Sequence, residues 1–335
     1  MHAAQQLPSI APRPCSLLPG LVCAASLVRS GRARAGLPET ANPTGSAPLL
    51  YVHIPRCRHD CVACDCRDQK RRSPRAVEDY LVRLYQDLAH WGAWYGRGAP
   101  IRHMHWSSGA MSLLDAGTQT ELQHRIAVQF PLADADERCY IVDSDPRALD
   151  ADRIALARGL GFNQLGLDVG AVQAADHGLP ILRPGIRGER LQQLVQTARH
   201  YGFRSVRLDL VYGHPRYTDS HLAATLDVTL DCRPERISCN YYRSVRVSCE
   251  PTLWTLPVED QRQREYIRSR LGTAGYTLVT RCATDHFIRA DEVQGAMLSG
   301  APENVIALGA STCSRINGTL YSAPSIIPAT TRSGH

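Results

Sequence analysis

The chain has 335 residues, 44% of them hydrophobic, and 38 Lys and Arg stand against 32 Asp and Glu for a net charge of +6. That length holds one large α/β domain or two smaller ones, and the apolar fraction permits a sizeable core, which sets aside disordered and fibrous classes. No apolar run reaches the roughly eighteen residues of a membrane span. The positive charge comes from dispersed arginines, Lys70 being the single lysine, and not from the clustered mixed patch of a nucleic-acid binder.

Residues 1–48 are rich in Ala, Pro, Gly, Ser and Arg without sustained periodicity, and they read as a flexible N-terminal extension. Within them 16–28 is mildly apolar, but Pro19-Gly20 interrupts it and no basic n-region precedes it, which argues against a signal peptide. From Leu49 the texture changes to short apolar runs alternating with amphipathic stretches. Strands are expected at 49–54, 103–106, 139–142, 164–167, 205–211, 236–240 and 277–279. Helices are expected at 76–94, where Leu81, Leu84 and Leu88 recur at i, i+3, i+7, and at 152–159, 189–201, 220–229 and 259–274. Strand–helix alternation repeated about six times predicts an α/β fold with a parallel sheet wrapped by helices over 49–318. Sites in such folds sit at the carboxyl ends of the strands. Residues 319–335 lose periodicity and read as a disordered tail.

The apolar run 49–54 feeds directly into Cys57, Cys61, Cys64 and Cys66. The first three form a C-x3-C-x2-C array, whose thiolates can all face a single iron–sulfur cluster because no distant segment must deliver them. Three protein ligands to a four-iron cluster leave one iron open for another ligand, whereas four cysteines would close it. Two plainer readings stand beside this one: a zinc site with Cys66 or His59 as fourth ligand, or reduced thiols packed in a core. The zinc spacing is awkward, lacking a second pair well downstream. Twelve cysteines, with those outside the cluster scattered, suit a reducing compartment with a metal site, the cytoplasm by default.

Further motifs keep the same order along the chain. Tyr51-Val52-His53-Ile54-Pro55, His105-Trp106, Asp145-Pro146-Arg147, Asp209-Leu210-Val211-Tyr212-Gly213, Asn240-Tyr241 and Asp285-His286-Phe287 together resemble the oxygen-independent coproporphyrinogen III oxidases, radical S-adenosylmethionine (SAM) enzymes. The resemblance covers 49–318. Cys66, His105-Trp106 and the Asp-His-Phe triplet favour the oxidases over their haem-chaperone relatives.

That resemblance implies a partial (β/α)6 TIM-like barrel with a 4Fe-4S cluster at its mouth. The open iron would chelate the amino and carboxylate groups of S-adenosyl-L-methionine, and cluster reduction would cleave the cofactor to a 5′-deoxyadenosyl radical. In the family that radical removes hydrogen from the β-carbon of two propionates of coproporphyrinogen III. Each propionate then loses carbon dioxide and an electron to become vinyl, in porphyrin and haem biosynthesis. A tetrapyrrole substrate and a reductant protein such as flavodoxin or ferredoxin follow from it. Some of the many arginines could receive the propionates through bidentate pairs.

By position, Cys57, Cys61 and Cys64 match the cluster ligands, and Tyr51, Gln173, Arg183, Asp209 and Tyr242 match contacts to SAM. Asp209 suits ribose hydroxyls and Arg183 the carboxylate. The sequence also departs from the family. Ala63 replaces an aromatic near the adenine. Ser107-Ser108-Gly109-Ala110-Met111 replaces Gly-Gly-Gly-Thr-Pro, which places Ser108, Gly109 and Ala110 at the methionine end. Asp143 replaces a glutamate. The family's N-terminal segment has no counterpart in 1–48, nor its helical C-terminal domain after 318. These departures motivate a second reading: a catalytically impaired relative that binds the cluster and a tetrapyrrole, distinguished from the enzyme by whether 5′-deoxyadenosine is formed.

Overall fold

The computed structural model describes residues 34–39, 47–54, 74–96, 98–170, 186–213, 218–241, 258–281, 284–292, 304–309 and 312–322. Seven helices and twelve strands are formed among them. In chain order they are β1 (Arg34–Ala35), β2 (Leu49–Val52), α1 (Pro74–Tyr95), β3 (His103–Trp106), α2 (Gly109–Leu113), α3 (Ala116–Gln129), β4 (Cys139–Ser144), α4 (Ala151–Gly159) and β5 (Gln164–Gly170). There follow α5 (Gly188–His200), β6 (Ser205–Tyr212), α6 (Asp219–Asp231), β7 (Arg236–Tyr241), α7 (Val258–Thr273), β8 (Tyr276–Arg281), β9 (Thr284–Arg289), β10 (Val305–Leu308), β11 (Cys313–Ile316) and β12 (Thr319–Ser322).

One sheet takes all twelve strands, in the order β1-β12-β11-β10-β2-β3-β4-β5-β6-β7-β9-β8. From β10 to β7 every neighbour is parallel, and the rest of the pairs are antiparallel apart from β1 with β12. The sheet ends at β1 and β8 and does not close, so the expected partial barrel of six successive βα strands, β2 to β7, is what forms.

The strands explain themselves by alternation. In β6, Val206, Leu208, Leu210 and Tyr212 are buried on one face, while Arg207, Asp209 and Val211 lie half-buried on the other. Strands β4 and β7 repeat the pattern with Tyr140, Val142, Ile237, Cys239 and Tyr241 in the core. That core joins the helices to the outer face of the sheet, with Leu84, Leu88, Ile126, Leu191 and Leu226 packed into it. Trp106 and Phe162, both fully buried, meet edge to face with ring centroids 4.9 Å apart. A parallel sheet ordinarily hides apolar side chains on both faces. Here the inner face is apolar where Leu49, Val305 and Ala307 pack beside Tyr51, and mostly polar across the strands beyond.

The starts of three helices carry side-chain caps. The Asp115 carboxylate accepts from the Thr118 N–H at 2.7 Å, Asp150 from Arg153 at 2.8 Å, and Thr218 with His221 forms a capping box.

All seven expected strands and five expected helices are present, with ends shifted by a few residues. The first strand stops at Val52, short of the expected 54, where Ser107 takes over the Ile54 backbone. Two boundaries move. Arg34–Ala35 lies inside the stretch read as an extension and pairs with β12, whose first residue is 319, where the tail was expected to begin. Such short strands are held by their neighbours in the ladder, and periodicity over two to four residues carries no signal. Among the described residues no helix is long and apolar enough to cross a membrane.

Candidate active site

The inner face carries a belt of polar side chains drawn from six strands. Tyr51 on β2 lies in register with His105 on β3, and their rings meet edge to face at 5.5 Å. His105 Nε2 is 2.7 Å from Asp143 Oδ2 on β4. The other oxygen of Asp143 accepts from Arg207 Nη2 on β6 at 2.8 Å, and Arg207 binds Asp209 through Nε at 2.7 Å and Nη2 at 2.9 Å. On the far side, Ser238 Oγ on β7 lies 2.9 Å from His286 Nδ1 on β9.

Charge states follow from this packing. Burial would raise the Asp143 carboxyl, but His105 and Arg207 outweigh it and hold the group below its ordinary range. Burial would likewise lower Arg207, and the Asp209 and Asp143 carboxylates outweigh that too, so the guanidinium stays charged. The Tyr51 phenol is pushed well up, by burial first and then by Asp143 and Tyr80, and remains a neutral donor. His286 is pushed down to about 4, by burial and then by the charge of Arg207, and is neutral near pH 7.

Above the belt, at the carboxyl ends of the strands, the β3–α2 junction grips the end of β2. Ser107 Oγ accepts from the Ile54 N–H at 2.8 Å and donates to the Ile54 carbonyl at 3.2 Å. Ser107 N–H donates to the Val52 carbonyl at 2.9 Å. A Cβ on Gly109 would overlap Ile54 O, so only glycine admits this approach. Tyr80 from α1 donates to the His53 carbonyl.

Of the predicted site residues, Tyr51, Asp143 and Asp209 are brought together in the belt. Ser108 and Gly109 stand at the start of α2, where the Ser108 carbonyl accepts from Ser112 Oγ at 2.9 Å. The Ala110 side chain is fully buried in the core, so only its backbone can face a ligand. Cys57, Cys61, Cys64, Ala63, Gln173, Arg183 and Tyr242 lie outside the described residues. Among the described residues no cluster of three or more His, Cys, Asp or Glu could hold a metal ion. Arg207 and Gly166, which join Asp143 to Asp209, were missed in the sequence. The alternation of β6 was the available signal, since it puts Arg207 and Asp209 on one face.

These residues fit the cofactors that the cysteine array implies. The segment with Cys57, Cys61 and Cys64 begins three residues after Ile54, at the carboxyl end of β2. Three closely spaced thiolates are an iron–sulfur donor set. Asp143 and Asp209 outnumber the one guanidinium they share, Arg207, and such a pair of carboxylates suits a cationic sulfonium compound. Each carboxylate makes two of the roughly four hydrogen bonds it can accept, so capacity remains for hydroxyl or ammonium donors.

A half-open parallel α/β sheet with a three-thiolate segment at the carboxyl end of its first parallel βα strand defines a class, and the profile of the Radical SAM superfamily matches residues 51–229. The chain belongs to that superfamily, whose cofactors are a 4Fe-4S cluster and S-adenosylmethionine. It is 29% identical over 300 residues to the oxygen-independent coproporphyrinogen III oxidase of Pseudomonas aeruginosa, covering 82% of this chain and 62% of that protein. It is also 29% identical over 259 residues to the Escherichia coli oxidase, covering 72% and 53%. The solved structure of the Escherichia coli enzyme superposes with a TM-score of 0.65 at 23% identity, covering 80% of this chain and 64% of that one. The chain thus spans less than two thirds of the length of these relatives.

Proposed function

We propose that this protein is a radical SAM oxidoreductase acting on a tetrapyrrole of the coproporphyrinogen class, oxidatively decarboxylating propionate side chains to vinyl groups in the cytoplasm. The observation that carries the reading is the inner-face belt. Two carboxylates, Asp143 and Asp209, lie below the end of the strand that leads into Cys57, Cys61 and Cys64. The relatives' shared name supplies the substrate class.

When bound, the reduced cluster supplies the electron that cleaves SAM. The chain's own residues do the holding. Cys57, Cys61 and Cys64 would hold the cluster. Asp209 would accept from ribose hydroxyls, and Asp143 would receive the cationic part of the cofactor. Tyr51 closes the β2 side of the pocket with a neutral ring. Neutral His286, tied to Ser238, adds no further positive charge to those of Arg207 and Arg236 on the far side. For each propionate the net change is loss of a hydrogen atom from the β-carbon, carbon dioxide and one electron. A one-electron donor such as flavodoxin or ferredoxin feeds the cluster, and an acceptor takes the electron from the substrate.

Anaerobic reconstitution with iron and sulfide, reduction, and addition of SAM tests the reading. A shifted electron paramagnetic resonance signal is expected, with 5′-deoxyadenosine and vinyl product formed from coproporphyrinogen III. A cluster signal indifferent to SAM would leave a cluster-binding relative without turnover, and zinc without acid-labile sulfide would overturn the assignment.

A further inference from the structure

Arg207 is third along β6, and its guanidinium makes three charge-assisted bonds to carboxylates on two different strands, Asp209 beside it and Asp143 on β4. Strand β5 runs between β4 and β6. At the register shared by Asp143 and Arg207 that strand has Gly166. A Cβ at this position would overlap Asp143 Oδ1 and lie 2.9 Å from Arg207 Nη2. The ion pair therefore crosses an intervening strand through a gap that only glycine leaves. Position 166 needs glycine for space, since its backbone is not in the left-handed region.

The pair is costly to bury, because each charge loses water that its partner must replace. All three side chains keep under a fifth of their exposure, at 17%, 19% and 17% for Arg207, Asp143 and Asp209. A planar guanidinium with a fixed fork of donors sets the orientation of both carboxylates, which the point charge of a lysine cannot do. With their bonded lone pairs committed to Arg207 and His105, the remaining ones are held in place on the inner face. A ligand then binds without having to order them, and preorganisation of this kind raises affinity.

We propose that Arg207, through the gap at Gly166, is the positioning residue of the SAM pocket. It holds Asp143 and Asp209 in the orientation in which they receive the ribose hydroxyls and the cationic end of the cofactor. The inference rests on the reading of those two carboxylates as cofactor contacts.

The full chain, reconstituted with its cluster under anaerobic conditions, is compared with Arg207→Gln, Arg207→Lys, Gly166→Ala and Asp209→Asn. Equilibrium dialysis with labelled SAM gives the dissociation constant, and electron paramagnetic resonance reports whether SAM perturbs the reduced cluster. Iron and sulfide content and far-ultraviolet circular dichroism confirm that each variant is folded and loaded. Expected is a SAM affinity weakened about tenfold or more in Arg207→Gln, the scale seen when the partners behind a ligating group are removed. Gly166→Ala, which removes no charge, weakens binding in the same way, and Arg207→Lys does not restore it. Full restoration by lysine would mean that charge alone matters and would overturn the positioning role. Wild-type affinity in both Arg207→Gln and Gly166→Ala, with Asp209→Asn weakened, would overturn the inference and leave the carboxylate reading intact. Wild-type affinity in Asp209→Asn would sink that reading as well. Should Arg207→Gln fail to fold, Gly166→Ala and Arg207→Lys decide.

Discussion

Replacing Asp285 by Ala removes the group that fastens α7 to the β8–β9 hairpin. Its carboxylate, 1% exposed, accepts from Arg264 at 2.8 and 2.6 Å and from Arg268 at 2.9 and 3.1 Å. Breaking a buried ion pair by deleting one partner costs about 3–5 kcal/mol. The two arginines retain 21% and 31% of their exposure, so water can resolvate part of their charge, and a loss of about 2–3 kcal/mol is the better expectation. In a domain of this size each kcal/mol moves the melting temperature by about 2–4 °C, which predicts a drop of about 5–10 °C. The pH dependence supplies a sharper check. Burial would raise the Asp285 carboxyl, but Arg264 and Arg268 outweigh it and the folded pKa is depressed. The stabilisation is then fully present above the unfolded value near 4 and is lost as pH falls through the folded pKa. Scanning calorimetry of wild type and Asp285→Asn at pH 7, 5 and 3 should show a gap that holds at the first two and shrinks at the third. A gap absent at pH 7, or unchanged at pH 3, would refute the reasoning.

Gly109→Ala forces a Cβ onto the Ile54 carbonyl and must displace the backbone that leads into the cysteine segment. A loss of about 1–3 kcal/mol in urea unfolding is expected, together with reduced iron and sulfide after reconstitution. Because the folded pKa of His286 is pushed down to about 4, below the unfolded value near 6.5, native stability falls as pH drops from 6.5 towards 4. His286→Gln should remove on the order of 1–2 kcal/mol of the loss between pH 7 and 5, read by denaturant unfolding at both values. Trp106→Ala opens a void beside Phe162 and should cost about 3–5 kcal/mol. Cys61→Ala should abolish the cluster absorbance, while far-ultraviolet circular dichroism stays close to wild type.

Much of the sheet was legible because its outer face is plainly apolar at every second residue. Val206, Leu208 and Leu210 announce β6, and Tyr140 and Val142 announce β4. Helix α3 was not foreseen. Its buried face contains Gln119 and Gln123 beside Leu122 and Ile126, which breaks the apolar stripe that a periodicity reading requires. Gln119 is held there by donating to the Leu114 carbonyl at 3.0 Å. Strands β9 to β12 escaped for a different reason: each is only four to six residues long, too short for alternation to stand out, although β8–β9 and β11–β12 pair with their neighbours in sequence. At the site, Asp209 and Asp143 were reached through the resemblance to the oxidases and not from a local pattern, while Arg207 shares a face with Asp209 by simple alternation. That Asp143 meets Arg207 across β5, over Gly166, depends on the register of three strands, which no local pattern encodes.

Strand β2 pairs with β3 on one side and with β10 on the other. The two partners reach it at very different times during synthesis. Ribosomes add roughly 5–20 residues per second, so the about 250 residues between β2 and β10 delay the second partner by some tens of seconds. Throughout that interval the strand leading to Cys57 is an open edge, lacking the ladder from Val305 to Leu308 that fixes its twist. The His53 N–H, which donates to the Leu308 carbonyl at 2.9 Å, has no such partner until β10 arrives. A chain truncated before residue 305 should therefore recruit iron poorly even though all three cysteines are present, a deficit read as low iron and sulfide content after reconstitution.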